Sequence, residues 1–423
     1  MGDTDDVVMR NAVRRLAGAL TVSVLLGCPA ACSGADTAGG TGSASATARP
    51  VPPPGRSLAV PGSGWASAMS DARHSSATTA VGPQTATLRW RRRLEGDATP
   101  GPAVGRDGTV YLSSNAGILH AVDPLTGRDR WSFSGGGGYG SDLSTTPAVL
   151  TDDTVLWPGP RHTLYALDHA GHRLWSETFA ATVLSPAVAA GGVVYVADTS
   201  GSLTRVDVGP GGAHHRGWTI PLGDGGSYAS PAVTPDGLVI GAVGPQVVAV
   251  RDDTAHGVLA WRFPVGELIE VSPAVTPDGT VVIGANDPFE YGISSAGQLL
   301  WRYRKDSWSY SSPVATPDGR VWFGDHRGVL NVLDGATGAP LARHQPVTGP
   351  VDGSLGVWTA PAVDARGDVY WGTVSGHIYG YGPGGNQLFD LPTGAVVDSY
   401  PALGPDGTLY LGSADGTVYA IHS

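Results

Sequence analysis

A short triplet, Pro-Ala-Val with small variations, returns eight times along this chain and leaves few folds open to it. Its prolines are Pro102, Pro147, Pro186, Pro231, Pro273, Pro313, Pro361 and Pro401. The interval is about forty to forty-eight residues, the length of one four-stranded propeller blade. Behind many triplets stands Asp-Gly, as in Asp107-Gly108, Asp236-Gly237, Asp278-Gly279, Asp318-Gly319 and Asp406-Gly407. Asp-Gly supplies the positive φ of a tight hairpin. Alternating stretches such as Thr109-Val110-Tyr111-Leu112 follow, then a second turn and strands such as Thr163-Leu164-Tyr165-Ala166-Leu167. Charged residues are only 15% of the chain while Gly (63) and Pro (33) are abundant. Sparse charge with much turn chemistry suits many short strands rather than solvated helices.

Most units close on Gly, three residues and an aromatic: Gly127 leads to Trp131, Gly171 to Trp175, Gly257 to Trp261 and Gly297 to Trp301. Trp218 takes this place after an insertion in the third unit, Phe389 takes it in the seventh, and Ala342 in the sixth. One large flat side chain per repeat suits docking between neighbouring blades; a ladder of tryptophans that binds a ligand is the other use of such a pattern. The last unit stops at Ser423, one strand short and without its aromatic. Thr87-Leu88-Arg89-Trp90-Arg91 ahead of the first triplet carries a tryptophan without a unit. If that segment supplies the outer strand of the last blade, the ring closes. The expectation is an all-β, eight-bladed propeller of four-stranded antiparallel blades over 63–423, closed by the N-terminal strand.

Ahead of it, Arg14 and Arg15 precede the apolar run Leu16 to Leu26, then Gly27 and Cys28. A basic start, a short apolar core and a small residue read as a secretory signal over 1–28. Leu25-Leu26-Gly27-Cys28 resembles a bacterial lipobox, with Cys28 as the lipidated residue; a plain cleaved signal with a chance cysteine is the other reading. Asp3, Asp5 and Asp6 sit oddly in a basic start, so Met9, with Arg10 through Arg15, stands beside Met1 as a candidate start. Residues 29–62 are Ala, Gly, Ser, Thr and Pro with almost no large apolar side chains, the composition of a flexible tether. The two cysteines, Cys28 and Cys32, both precede the repeats, so the body offers no disulfide, thiol nucleophile or cysteine zinc site. A net charge of −11 argues against nucleic acid, which needs a basic face. It would also repel anionic lipid, leaving the anchor as the membrane contact.

Ala121, Asp123, Thr126, Gly127 and Trp131 match the docking motif of the pyrroloquinoline-quinone-type propeller repeat family. Trp65, Met69, Asp71, Arg73 and Ser75 also resemble the lead-in that often precedes such repeats. The likeness spans about 65–423. The family holds quinone-dependent dehydrogenases, sensor ectodomains and scaffold lipoproteins, among them the propeller subunit of outer-membrane barrel assembly, to which this chain is similar. Fold does not set function. The resemblance implies either an extracytoplasmic binding scaffold without cofactor or an alcohol or sugar dehydrogenase using the quinone with calcium. The alcohol enzymes cover the cofactor with a vicinal disulfide that this chain cannot form; soluble sugar dehydrogenases lack it too, so the dehydrogenase stays as the second reading.

Chemistry-bearing motifs are few. There is no Gly-x-Ser-x-Gly, phosphate loop or His-Glu-x-x-His. The Asp-Gly turns lack the alternating acidic ligands of a calcium loop. His169, His172, His214 and His215 have no third ligand at metal spacing and read as solvated turn residues. Three residues before each repeat proline stand Thr99, Ser144, Val183, Tyr228, Glu270, Tyr310, Trp358 and Asp398. They fall where each inner strand begins, and so ring one mouth of the central channel. Blades four to eight thus present Tyr228, Glu270, Tyr310, Trp358 and Asp398, with Trp308 two residues further out. Aromatics with carboxylates on a concave rim suit a glycan, a peptide or an envelope protein; inter-blade packing with solvated acids explains them equally. The expected protein is a monomeric, extracytoplasmic, non-catalytic scaffold.

Overall fold

The computed structural model describes residues 65–96, 100–139, 145–345 and 356–423. The signal segment with Cys28, the tether 29–62, Thr99 and Ser144 lie outside the described residues.

Eight four-stranded antiparallel sheets follow one another around a ring. Blade one runs Ala103–Val104, Val110–Ser114, Ile118–Val122 and Asp129–Ser134. Every repeat triplet is the innermost strand of its blade, and each such strand is two residues long. The two middle strands are sandwiched between neighbouring blades on both faces. They therefore carry unbroken apolar runs, as in Val110–Ser114 and Thr163–Leu167, where every residue is buried. The outer strand meets solvent on one side and alternates, as Asp129–Ser134 does. Each fully buried Val or Leu contributes about 1.5–3 kcal/mol, so the inter-blade seams hold the ring together. The turn aspartates cap their own hairpins: Asp107 accepts from the Thr109 amide at 3.0 Å and Asp406 from the Thr408 amide at 3.1 Å.

The ring closes through the N-terminal strand. Thr87–Arg93 pairs antiparallel with Thr417–His422, placing Trp90 opposite Ala420 and completing blade eight with Leu409–Gly412 and Ala402–Leu403. Across the seam, Arg92 makes bonds of 2.5 and 2.8 Å to Asp129 of blade one.

The docking aromatics pack across the seam onto the next blade. Each outer strand is irregular beside its aromatic position; a bulge there re-aims the side chain. The ring then packs on the glycine turn of the next blade. A β-carbon at Gly171 would stand 2.6 Å from Trp131, and one at Gly297 would stand 2.7 Å from Trp261. Indole nitrogens donate to the same turns: Trp131 to His169 O at 2.8 Å, Trp261 to Ser295 O at 2.9 Å, Trp301 to Gly335 O at 2.9 Å. Trp218 instead donates to the Asp252 carboxylate at 2.9 Å. Trp175 meets the third-unit insertion, where His214 stacks on it at 4.2 Å and 18°. His214 is thus an exposed outer-strand residue that stacks on Trp175 and pairs with Glu177 at 3.3 Å, rather than a turn residue, because the insertion carries the strand back over the indole. In blade six, where Ala342 replaces the tryptophan, His344 comes within 3.3 Å of the β-position of Gly385. Phe389 is buried against Tyr370, ring centroids 6.1 Å apart.

The lead-in segment lines the channel. A two-residue inner strand leaves an amide facing the axis, and a buried amide needs a partner. Carbonyls of the lead-in supply it around the ring. Trp65 O takes Val104 N, Ala66 O takes Val149 N and Ala72 O takes Val233 N, each at 2.7 Å. Arg73 O takes Val275 N at 2.9 Å, His74 O takes Ala315 N at 3.3 Å and Ser76 O takes Val363 N at 2.8 Å. Met69, Ser70, His74 and Ser76 adopt positive φ (52°, 79°, 58°, 46°), a conformation L-residues hold only when surroundings over-determine it. Asp71 helps fix it, accepting from Arg73 N at 2.9 Å, Ser75 N at 3.1 Å and Ser75 Oγ at 2.8 Å. His74 is buried, its Nδ1 2.6 Å from Pro273 O, and burial holds its pKa below the usual imidazole value. These bonds fall at the end of each inner strand that feeds the Asp-Gly turns. This strap therefore sits at the channel end opposite the residues that begin the inner strands.

Candidate functional site

The other channel end is built on a repeated backbone frame. Two residues before each rim position of blades four to eight, six before the inner strand, a carbonyl accepts from the turn between the two middle strands. The pairs are Gly244 N to Gly226 O, Asn286 N to Leu268 O, His326 N to Trp308 O, Val374 N to Gly356 O and Ala414 N to Val396 O, at 2.7–3.1 Å. Five blades thus present equivalent positions on one frame, and side-chain identity alone distinguishes them. Blade six carries Trp308 there.

Of the rim residues named from the sequence, Val183 is buried and bridges to Asp198. Tyr228, Glu270, Tyr310, Trp358 and Asp398 are half-buried. The structure brings Tyr310 and Trp358 together edge to face, centroids 5.6 Å apart at 88°. Trp308 meets Tyr310 at 5.0 Å and 74°, and stacks on His326 at 4.1 Å and 18°. Glu270 accepts from Asn286 Nδ2 at 2.8 Å. Its charge and, more strongly, burial raise the Tyr310 hydroxyl above the usual phenol range. Among the described residues no ring contact or hydrogen bond joins the Tyr228 side chain to this group. These contacts join side chains of blades five, six and seven.

His326 and Asn286 were not legible as site residues. They lie in short turns between the two middle strands, and only superposing one blade on the next shows that they occupy equivalent positions. Burial keeps His326 below the ordinary imidazole pKa, so it is neutral at neutral pH. Below the frame, Glu290 and Lys305 form a fully buried pair, Nζ to Oε2 3.5 Å. Lys305 begins the connection that carries Trp308 and Tyr310. Burial pushes Glu290 up to about 7 against the opposing pull of Lys305.

Deeper in the channel, Ser272 Oγ accepts from Ser230 N and Ser312 Oγ from Ser272 N, at 2.9 and 3.0 Å. Tyr400, in blade eight, reaches to blade six with its hydroxyl 3.2 Å from Ser312 Oγ. Among the described residues no group of three or more His, Cys, Asp or Glu could hold a metal ion. Aromatic faces, one hydrogen-bonded carboxylate–amide pair and a protonated phenol equip this mouth for binding.

Comparison with known proteins gives the fold its relatives. The sequence matches the family described as outer membrane protein assembly factor BamB over residues 73–211, 115–251 and 210–423. Protein Rv3035 of Mycobacterium tuberculosis is 33% identical over 91 residues, 20% of this chain and 22% of that one. Outer membrane protein assembly factor BamB of Nitrosomonas eutropha is 25% identical over 169 residues, 38% of each chain. The alignments thus span well under half the length of these relatives. Among solved structures, BamB from Moraxella catarrhalis superposes with a TM-score of 0.60 at 16% identity, covering 80% of this chain and 100% of that one. Quinohemoprotein alcohol dehydrogenase from Comamonas testosteroni superposes with a TM-score of 0.67 at 14% identity, covering 86% and 81%. At such identities the likeness is one of fold.

Proposed function

We propose a function from one premise: the chain belongs to the family of outer membrane protein assembly factor BamB. The protein is a non-catalytic scaffold of the cell envelope, tethered by a lipid on Cys28 to the extracytoplasmic face of a membrane. It holds an envelope protein, a peptide or a glycan against the mouth of its channel at blades five to seven. The observation that carries this reading is the asymmetry of the channel. The strap takes up the inner-strand amides at one end, while Trp308, Tyr310 and Trp358 gather at the other. Aromatic side chains on a concave surface supply contact area at low entropy cost.

The dehydrogenase reading asks for a calcium ion and a quinone in the channel. Among the described residues no three or more His, Cys, Asp or Glu side chains converge, and Tyr400 reaches to Ser312 within the channel. Adding quinone and calcium to the protein and following dye reduction distinguishes the two readings. The scaffold gives no turnover.

The anchor is tested by Cys28→Ser. The variant is expected in the soluble fraction with an unchanged melting temperature. A variant that stays on membranes after a salt wash overturns the lipid anchor.

A further inference from the structure

The connection between blades five and six holds Trp308 at both ends. Lys305, wholly buried, donates to Ala285 O at 3.3 Å and faces Glu290. Asp306 pairs with Arg343 at 2.5 Å. At the far end the His326 amide donates to Trp308 O at 3.1 Å, and its imidazole lies nearly flat on the indole. One indole face is therefore covered. Trp308 is nevertheless 36% exposed. A large ring already fixed in place loses little freedom when something binds to it.

The polar groups at the neighbouring position of the frame are Glu270 and Asn286, and Tyr310 lies between them and the tryptophans. The 2.8 Å bond from Asn286 to Glu270 Oε2 sets an amide next to a carboxylate. Together they retain acceptor oxygens and a second amide N–H. The Tyr310 hydroxyl, kept protonated by burial and by Glu270, adds a donor. Neighbouring hydroxyls on a sugar ring each donate and accept, so they satisfy such a set; an ammonium only donates. A cation cage also needs rings facing across a gap, and here Tyr310 meets both tryptophans edge to face in direct packing.

We infer that Trp308 is a stacking platform for a sugar ring, with Glu270, Asn286 and the Tyr310 hydroxyl reading its hydroxyl groups. The ligand class at this mouth is a neutral saccharide. The inference rests on the reading of the mouth as the binding face.

The test uses the full chain with neutral hexasaccharides of glucose, mannose and N-acetylglucosamine, followed by tryptophan fluorescence and affinity electrophoresis. At least one should bind. Trp308→Ala should weaken it tenfold or more at unchanged melting temperature. Glu270→Gln should weaken it severalfold, equally at low and high salt, because the partner carries no charge. Should Trp308→Ala lower the melting temperature, Asn286→Ala, which removes only the amide, takes its place with a severalfold loss expected. The inference is overturned if the folded protein binds none of the three. It is also overturned if Trp308→Ala and Asn286→Ala bind as tightly as wild type, or if a lysine-rich peptide takes the mouth with a salt-dependent affinity that Glu270→Gln abolishes. A photo-crosslinker at position 358 separates the two readings. Partner capture there without saccharide binding sinks only the saccharide, whereas failure of both sinks the mouth as the binding face.

Discussion

The β-carbon that Gly127 lacks would stand 2.7 Å from Cδ2 of Trp90, so the turn of the first blade is the seat of a tryptophan delivered by the completing strand of the last. Trp90 is 9% exposed and its indole donates to Pro124 O at 2.8 Å. Trp90→Ala should cost about 3–5 kcal/mol, the range for a buried tryptophan. Gly127→Ala should also destabilise, since the turn holds φ at 69° and the added methyl meets the indole. Leu125→Ala, on the same turn but 65% exposed, should be neutral. Urea unfolding of the three variants checks this. Equal midpoints for Trp90→Ala and Leu125→Ala would contradict the seam.

Removing residues 63–93 takes away both the strap and the completing strand. Six inner-strand amides lose their carbonyl partners and blade eight loses its outer strand. The melting temperature should fall sharply, or the domain should fail to fold. Removing 29–60 should leave the melting temperature unchanged. Calorimetry that finds the two truncations equally stable rejects the shared blade.

Glu290 and Lys305 set a pH dependence. Folded, Glu290 is pushed by burial to about 7, from an ordinary value of 4.5. The folded state then holds the proton more tightly than the unfolded chain. Its contribution to stability is fully present below about pH 4.5 and is lost as pH rises toward 7. Glu290→Gln should flatten the fall in stability across that window. Either single change, Glu290→Gln or Lys305→Met, should cost about 3–5 kcal/mol by stranding a buried polar partner, and the double variant should recover much of it. Urea midpoints measured through this range decide. Parallel slopes for wild type and Glu290→Gln would show that Glu290 does not titrate there.

The blade count and the closure were legible because both are one-dimensional facts. Eight triplets define eight units, and Trp90 is the tryptophan left over when the units are assigned. The direction of docking was not. Gly127 and Trp131 are neighbours in sequence and read as one motif, yet each glycine receives the preceding blade's aromatic, a relation that exists only across a seam. The strap was visible as the residues Trp65, Met69, Asp71, Arg73 and Ser75 without a role. Its role is carried by backbone carbonyls, which side-chain identity does not reveal. At the mouth, Tyr310 and Trp358 could be placed from strand register alone. His326 and Asn286 could not, since their positions come from turns of unequal sequence folded onto one frame.

The central claim is that the protein acts through one end of its channel. A photo-crosslinking residue is placed at Trp358 on the mouth, and separately at Asp236 on a turn at the strap end, in the full-length protein in its native membranes. The account predicts a discrete covalent adduct from position 358, lost in a Trp308→Ala background, and none from position 236. Adducts of equal yield from both positions, or from position 236 alone, would contradict it.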